Sequence, residues 1–172
     1  EIKILKPRKA INKAFLKIKP NRTEIESFKT NLIELLDRTN DTESEEFHKN
    51  LVSDFLKDTY YKNNHFINTK GRNDLVIHNG NKAKSTVGVI IEAKKPTNKS
   101  EMLTKEKINV KAFQELVLYY LRERVTHKNL EIKYLVAQTL TNGSFLIPTY
   151  LKSSLLKTKD WLNNSTILKM ED

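Results

Sequence analysis

Two runs decide how this chain folds: Asn73-Asp74-Leu75-Val76-Ile77-His78 and Val87-Gly88-Val89-Ile90-Ile91-Glu92-Ala93-Lys94, joined through a polar stretch that contains Asn79-Gly80-Asn81. Both are rich in Val and Ile and are bounded by turn residues, which predicts two strands of a β-hairpin. Side chains two apart on a strand share a face, so Glu92 and Lys94 point one way, and Val87, Val89, Ile91 and Ala93 the other. One face is expected to pack and the other to end in charges. Asp74 lies eighteen positions before Glu92, and the hairpin can bring the two carboxylates together. Paired carboxylates repel unless a cation or a proton intervenes, and hard oxygen ligands suit Mg²⁺. Asp74 and Glu92 are therefore candidate metal ligands. Lys94 is the candidate to orient or deprotonate a water and to neutralise a phosphate. Together these roles point to phosphodiester hydrolysis.

The tripeptide Glu-x-Lys carries little weight by itself, since it also occurs at Glu1-Ile2-Lys3 and Glu131-Ile132-Lys133. Only the copy at Glu92 ends an apolar β-run and follows a strand with an acid at its start. Context selects it.

Upstream, Ala10, Ile11, Ala14, Phe15 and Ile18 predict a short basic helix over 8–18, and Asn21 with Glu24 forms a capping box for an amphipathic helix to about residue 38. Thr42 with Glu45 repeats that start signal for a third helix to about Tyr60. Asn68 to Gly71 reads as a turn before the first strand. Downstream, Pro96 closes the second strand, and Val110, Phe113, Val117, Tyr120, Leu121 and Arg124 mark a long helix. Tyr134 to Ala137 reads as a strand, Phe145 to Ile147 as another stopped by Pro148, and Leu151, Leu155, Leu156 and Leu162 as a closing helix. The predicted order is ααα-ββ-α-ββ-α, an α+β arrangement with a mixed sheet flanked by helices. Residues 1–40 are expected to be a helical extension packed on a core of 41–172, and the chain a fragment of something longer.

The 172 residues suit one domain with an ordinary core, and a formal charge of +10 with a pI near 9.6 favours a polyanionic partner such as nucleic acid. Without cysteine, disulfides and thiolate metal sites are excluded. His48, His65, His78 and His127 are scattered without zinc spacing, and no Gly-rich phosphate loop or membrane-length apolar run occurs. A cytoplasmic setting is expected.

Asp74, a hairpin, Glu92-Ala93-Lys94 and then a helix carrying Gln114 and Glu115 resemble the PD-(D/E)XK nuclease superfamily. More narrowly, the segments 69–78, 89–96 and 115–124 resemble the amino-terminal nuclease region of bacterial type IIG restriction-modification enzymes. The similarity runs from about Lys6 to about Ala137, with Asn73 standing where the superfamily has Pro. The resemblance implies a restriction-endonuclease-like core and Mg²⁺-dependent cleavage of double-stranded DNA, with Mn²⁺ as a substitute. Asp74 and Glu92 would be metal ligands and Lys94 the catalytic base or charge stabiliser. A further carboxylate from the preceding helix would be Glu45 or Glu46, and Gln114 and Glu115 would be accessory groups. Lys70, Arg72, Lys95 and Lys99 flank the site as candidate DNA contacts. A methyltransferase region using S-adenosylmethionine and a target-recognition domain are expected further along the full-length chain, and transient dimerisation on DNA would let single centres cut both strands. A repair or junction-processing nuclease of the same fold and a non-catalytic DNA-binding module are the alternatives.

Overall fold

The computed structural model describes residues 9, 13–71, 73–104, 106–141, 144–145 and 149–152; for Phe15, Asn73, Asp74 and the described residues of 141–152 it describes the backbone alone. Of the expected helix over 8–18, the described residues hold a 3₁₀ turn at Phe15–Lys17. Helix α1 (Arg22–Arg38) starts at the predicted capping box: Asn21 Oδ1 accepts the Glu24 N–H at 2.9 Å, and the Glu24 carboxylate accepts the Asn21 N–H at 2.8 Å. Helix α2 (Glu45–Leu56), prolonged by a π-helical turn at Lys57–Tyr61, begins later than its sequence signal suggests. Ser44, not Thr42, is the cap, its Oγ accepting the Phe47 N–H at 3.1 Å, while Thr42 is held in a turn on Asn40 Oδ1. That shift places Glu45 at the first helical position.

The chain then forms β1 (Ile67–Lys70), β2 (Asn73–His78) and β3 (Val87–Lys94). The stretch 68–71 is thus mostly strand. Ile67 is drawn into the core, Asn68 pairs with Val76, and the turn is left to Gly71, at a φ of 63° that glycine takes without steric penalty. Helix α3 (Lys111–Leu121), extended by a π-helical turn at Arg122–Thr126, crosses over to β4 (Tyr134–Thr141), which lies parallel to β3. Strands β5 (Ser144–Phe145) and β6 (Thr149–Lys152) both pair antiparallel with β4. Leu151 therefore belongs to a strand rather than to a closing helix, because its backbone is paired with Leu135. Residues 146–148 and the rest of the expected closing helix, 155–162, lie outside the described residues.

The sheet is mixed, in the order β1-β2-β3-β4 with β6 beyond, and helices cover both faces. On one side Leu35 of α1 and Leu51, Val52 and Phe55 of α2 pack on Leu75, Ile77, Ile91 and Val136. On the other, Ala112, Leu116, Tyr119 and Tyr120 of α3 pack on Val76, Ile90, Leu135 and Ala137. Strand β3 is consequently buried on both faces, and the face bearing Glu92 and Lys94 is not the solvated face its charges suggest. Val87 also departs from strict alternation. It opposes His78 while Val89 opposes Ile77, so Gly88 is an extra residue in a β-bulge, and Val87 joins the α3 side with Ile90.

Candidate active site

Three elements converge at the end of β3. The register Val76↔Ile90 and Leu75↔Ile91, continued by one residue, sets position Asp74 across from Glu92. Lys94 follows two residues on, on the α3 side. Helix α3 brings Glu115 in its second turn, and α2 brings Glu45 in its first. The Lys94 ammonium, with its side chain only 2% exposed, lies 2.6 Å from Glu92 Oε1 and 2.7 Å from Glu115 Oε2. Glu45 and Glu101 stand further out, at 3.6 and 3.9 Å. Lys111 answers Glu101 at 3.3 Å, so four carboxylates face two ammonium groups.

This charge balance shapes the protonation of the site. Burial alone would lower the Lys94 pKa, but its hydrogen bonds to Glu115 and Glu92 outweigh that and hold it above the ordinary lysine value. Burial would likewise raise Glu115, yet hydrogen bonding with Glu92 and Lys94 holds its carboxyl below the usual range. Lys94 is charged at neutral pH and acts as the counter-ion of the cluster.

Glu45 is tied in from two sides, its Oε2 accepting the Lys95 backbone N–H at 3.1 Å while Oε1 faces Lys94. Glu46 is turned away and pairs with Lys49 one helical turn on. Of the two accessory candidates on α3, only Glu115 reaches the cluster, because the Gln114 amide donates to Asn109. Lys70 is engaged by Glu123 at 2.7 Å, and the Lys95 ammonium donates to the Thr42 carbonyl at 3.4 Å. Lys99 is exposed in a 3₁₀ turn, and Arg72 lies outside the described residues.

Two members of the site had no sequence signal strong enough to single them out. Glu101 arrives through an irregular turn after Pro96, and Thr139 is set beside Lys94 only by the parallel β3–β4 register. His78, by contrast, is accounted for structurally: its ring bonds the Ser85 carbonyl at 2.6 Å and Asn68 Oδ1 at 2.9 Å.

Among the described residues no group of three or more His, Asp or Glu side chains stands in metal-holding geometry, since Lys94 occupies the middle of the cluster. The chemistry of the donor set nonetheless fits a hard divalent cation: carboxylate oxygens in excess of local positive charge, at the carboxyl end of a central strand framed by two helices. Glu92, Glu115 and Glu45, with Asp74 by its register position, are the residues that could hold one.

A family profile described as Domain of unknown function (DUF7149) matches residues 5–147. The chain belongs to that family. The matched span of this DUF7149 chain includes every residue of the cluster, from Glu45 to Thr139. No curated protein and no solved structure matches the chain.

Proposed function

We propose that this chain is a Mg²⁺-dependent endodeoxyribonuclease domain of the PD-(D/E)XK type, with a restriction-endonuclease-like core, serving as the cleavage module of a bacterial type IIG restriction-modification protein. The observation that carries the reading is the β2–β3 register, Leu75↔Ile91 and Val76↔Ile90, whose continuation by one residue would set position Asp74 opposite Glu92, with Lys94 two residues further along β3. Glu115 and Glu45, supplied by helices on either side, support it.

In this reading Asp74 and Glu92 hold Mg²⁺, with Glu115 and Glu45 as further oxygen donors. When bound, Mg²⁺ supplies a water of lowered pKa and positive charge facing the phosphodiester. Lys94, released from its carboxylate partners, orients the attacking water and offsets charge on the phosphate. The net charge of +10 draws the DNA backbone to the domain. Double-stranded DNA is the substrate, cutting of both strands goes through a transient dimer, and methylation by S-adenosylmethionine belongs to a methyltransferase region elsewhere in the full-length protein, in the bacterial cytoplasm. Among the described residues no helix is long and apolar enough to cross a membrane.

The saturation of Lys94 by carboxylates favours one other reading, in which the cluster is structural and the chain binds DNA without cutting it. The two separate in one experiment. Purified protein incubated with plasmid and Mg²⁺ or Mn²⁺ should nick or linearise it, and Asp74→Ala combined with Lys94→Ala should abolish cutting. Cutting that persists in the double variant refutes the nuclease assignment. A salt-sensitive gel shift with no metal-dependent product supports the binding module.

A further inference from the structure

A second buried acid lies outside the cluster. Glu123, 2% exposed, sits in the π-helical turn that prolongs α3, an irregularity that recurs at functional sites. Its Oε1 pairs with Lys70 Nζ at 2.7 Å, and its Oε2 accepts from Asn129 Nδ2 at 3.3 Å. Asn129 also donates to the Val87 carbonyl at 2.9 Å, which ties this corner to the start of β3. His127 stands at the rim, 4.0 Å from the same carboxylate.

Lys70 is the last residue of β1 and is register-paired with Asn73, across the turn at Gly71. Asp74 is the next residue of β2. The Glu123–Lys70 pair therefore clamps the turn from which the strand bearing Asp74 departs. The same helix carries Glu115, which touches Lys94 directly. One rigid element thus holds both Glu115 and, through Lys70, the entry to Asp74.

Resting on the nuclease reading, we propose that Glu123 and Lys70 are positioning residues for the metal site: the ion pair fixes the β1–β2 turn so that Asp74 and Glu115 keep the separation that a shared divalent cation requires. This assigns Lys70 to the fold of the site rather than to a DNA phosphate. The physical warrant is that groups supporting metal ligands from behind change metal affinity or activity about 10- to 100-fold when removed.

Breaking one partner leaves the other charge buried and costs stability, whereas replacing both by apolar residues of similar volume is often neutral. The test is therefore the double variant Lys70→Met with Glu123→Met, beside Lys70→Arg, in the purified protein. Mn²⁺ affinity is measured by titration calorimetry, plasmid cutting across a Mn²⁺ series, and stability by urea unfolding. The double variant is expected to unfold near the wild-type urea concentration yet bind Mn²⁺ about 10- to 100-fold more weakly, with the half-saturating Mn²⁺ for cutting raised in step. Lys70→Arg, which keeps the pair, should stay within about threefold of wild type on that same scale. Wild-type Mn²⁺ affinity in a stably folded double variant overturns the proposal and leaves the nuclease reading standing. Weakened Mn²⁺ binding in a protein whose wild type never cuts DNA supports the positioning role and removes the nuclease reading. A wild type that neither binds Mn²⁺ nor cuts overturns both.

Discussion

Replacing Lys94 by Met removes an ammonium that Glu45, Glu92, Glu101 and Glu115 all face, while keeping most of the side-chain volume. The four carboxylates do not count equally. Glu45 and Glu101 stand 3.6 and 3.9 Å away with side chains 37% and 29% exposed, so water screens them and their pairs are weak, while Glu115, 27% exposed, is screened only in part. Glu92 is 1% exposed, its side chain 2.6 Å from the ammonium, and it loses that buried partner. Breaking a buried pair from one side costs about 3–5 kcal/mol. With a urea slope of about 1–3 kcal/mol per molar, the unfolding midpoint of Lys94→Met should fall by at least about 1 M at pH 7.5, followed by far-UV circular dichroism. A divalent cation that binds the cluster should restore much of this. At about 100 times its dissociation constant it contributes about 2.7 kcal/mol, and it should bind the variant more tightly than wild type because it no longer competes with Lys94. A loss below about 1 kcal/mol, or an equal response of variant and wild type to Mn²⁺, refutes the view that Lys94 is the resident counter-ion of an acidic cation site.

Acid titration gives a second expectation. The Glu115 carboxyl is held below its ordinary value of 4.5, so its ionised form stabilises the fold above that pH, and the contribution is lost as pH falls through and below it. Urea midpoints of wild type and Glu115→Gln should therefore differ most near neutral pH and converge as pH falls below 4.5. Lys94 has the opposite sign: held above 10.5, it contributes below that pH, and the contribution is lost only in stronger alkali. Ser44→Ala removes the cap that places Glu45, and should lower stability by about 1 kcal/mol in urea unfolding while reducing metal-dependent cutting more than Glu46→Gln does. Leu116→Ala, fully buried under the sheet face that carries Glu92, should cost about 2–5 kcal/mol in the same assay.

Sequence alone was enough to locate the hairpin, the capping box at Asn21 and the helix carrying Glu115, because alternation, caps and helical spacing are local signals. It also singled out Asp74, Glu92 and Lys94 from among repeated Glu-x-Lys triplets, since only one copy ends an apolar strand. Tertiary structure decided the rest. That Glu45 and not Glu46 faces Lys94 depends on a helix start two residues later than the sequence signal, chosen by Ser44. That β3 is buried on both faces depends on α3 folding back over it, and the side on which Val87 packs depends on the bulge at Gly88. Glu101 is returned to Lys94 by an irregular turn, and Thr139 and the Glu123–Lys70 clamp arise from contacts between residues far apart in the chain. No local periodicity encodes such contacts, because they exist only once helix and sheet have closed the core and driven water from between their charges.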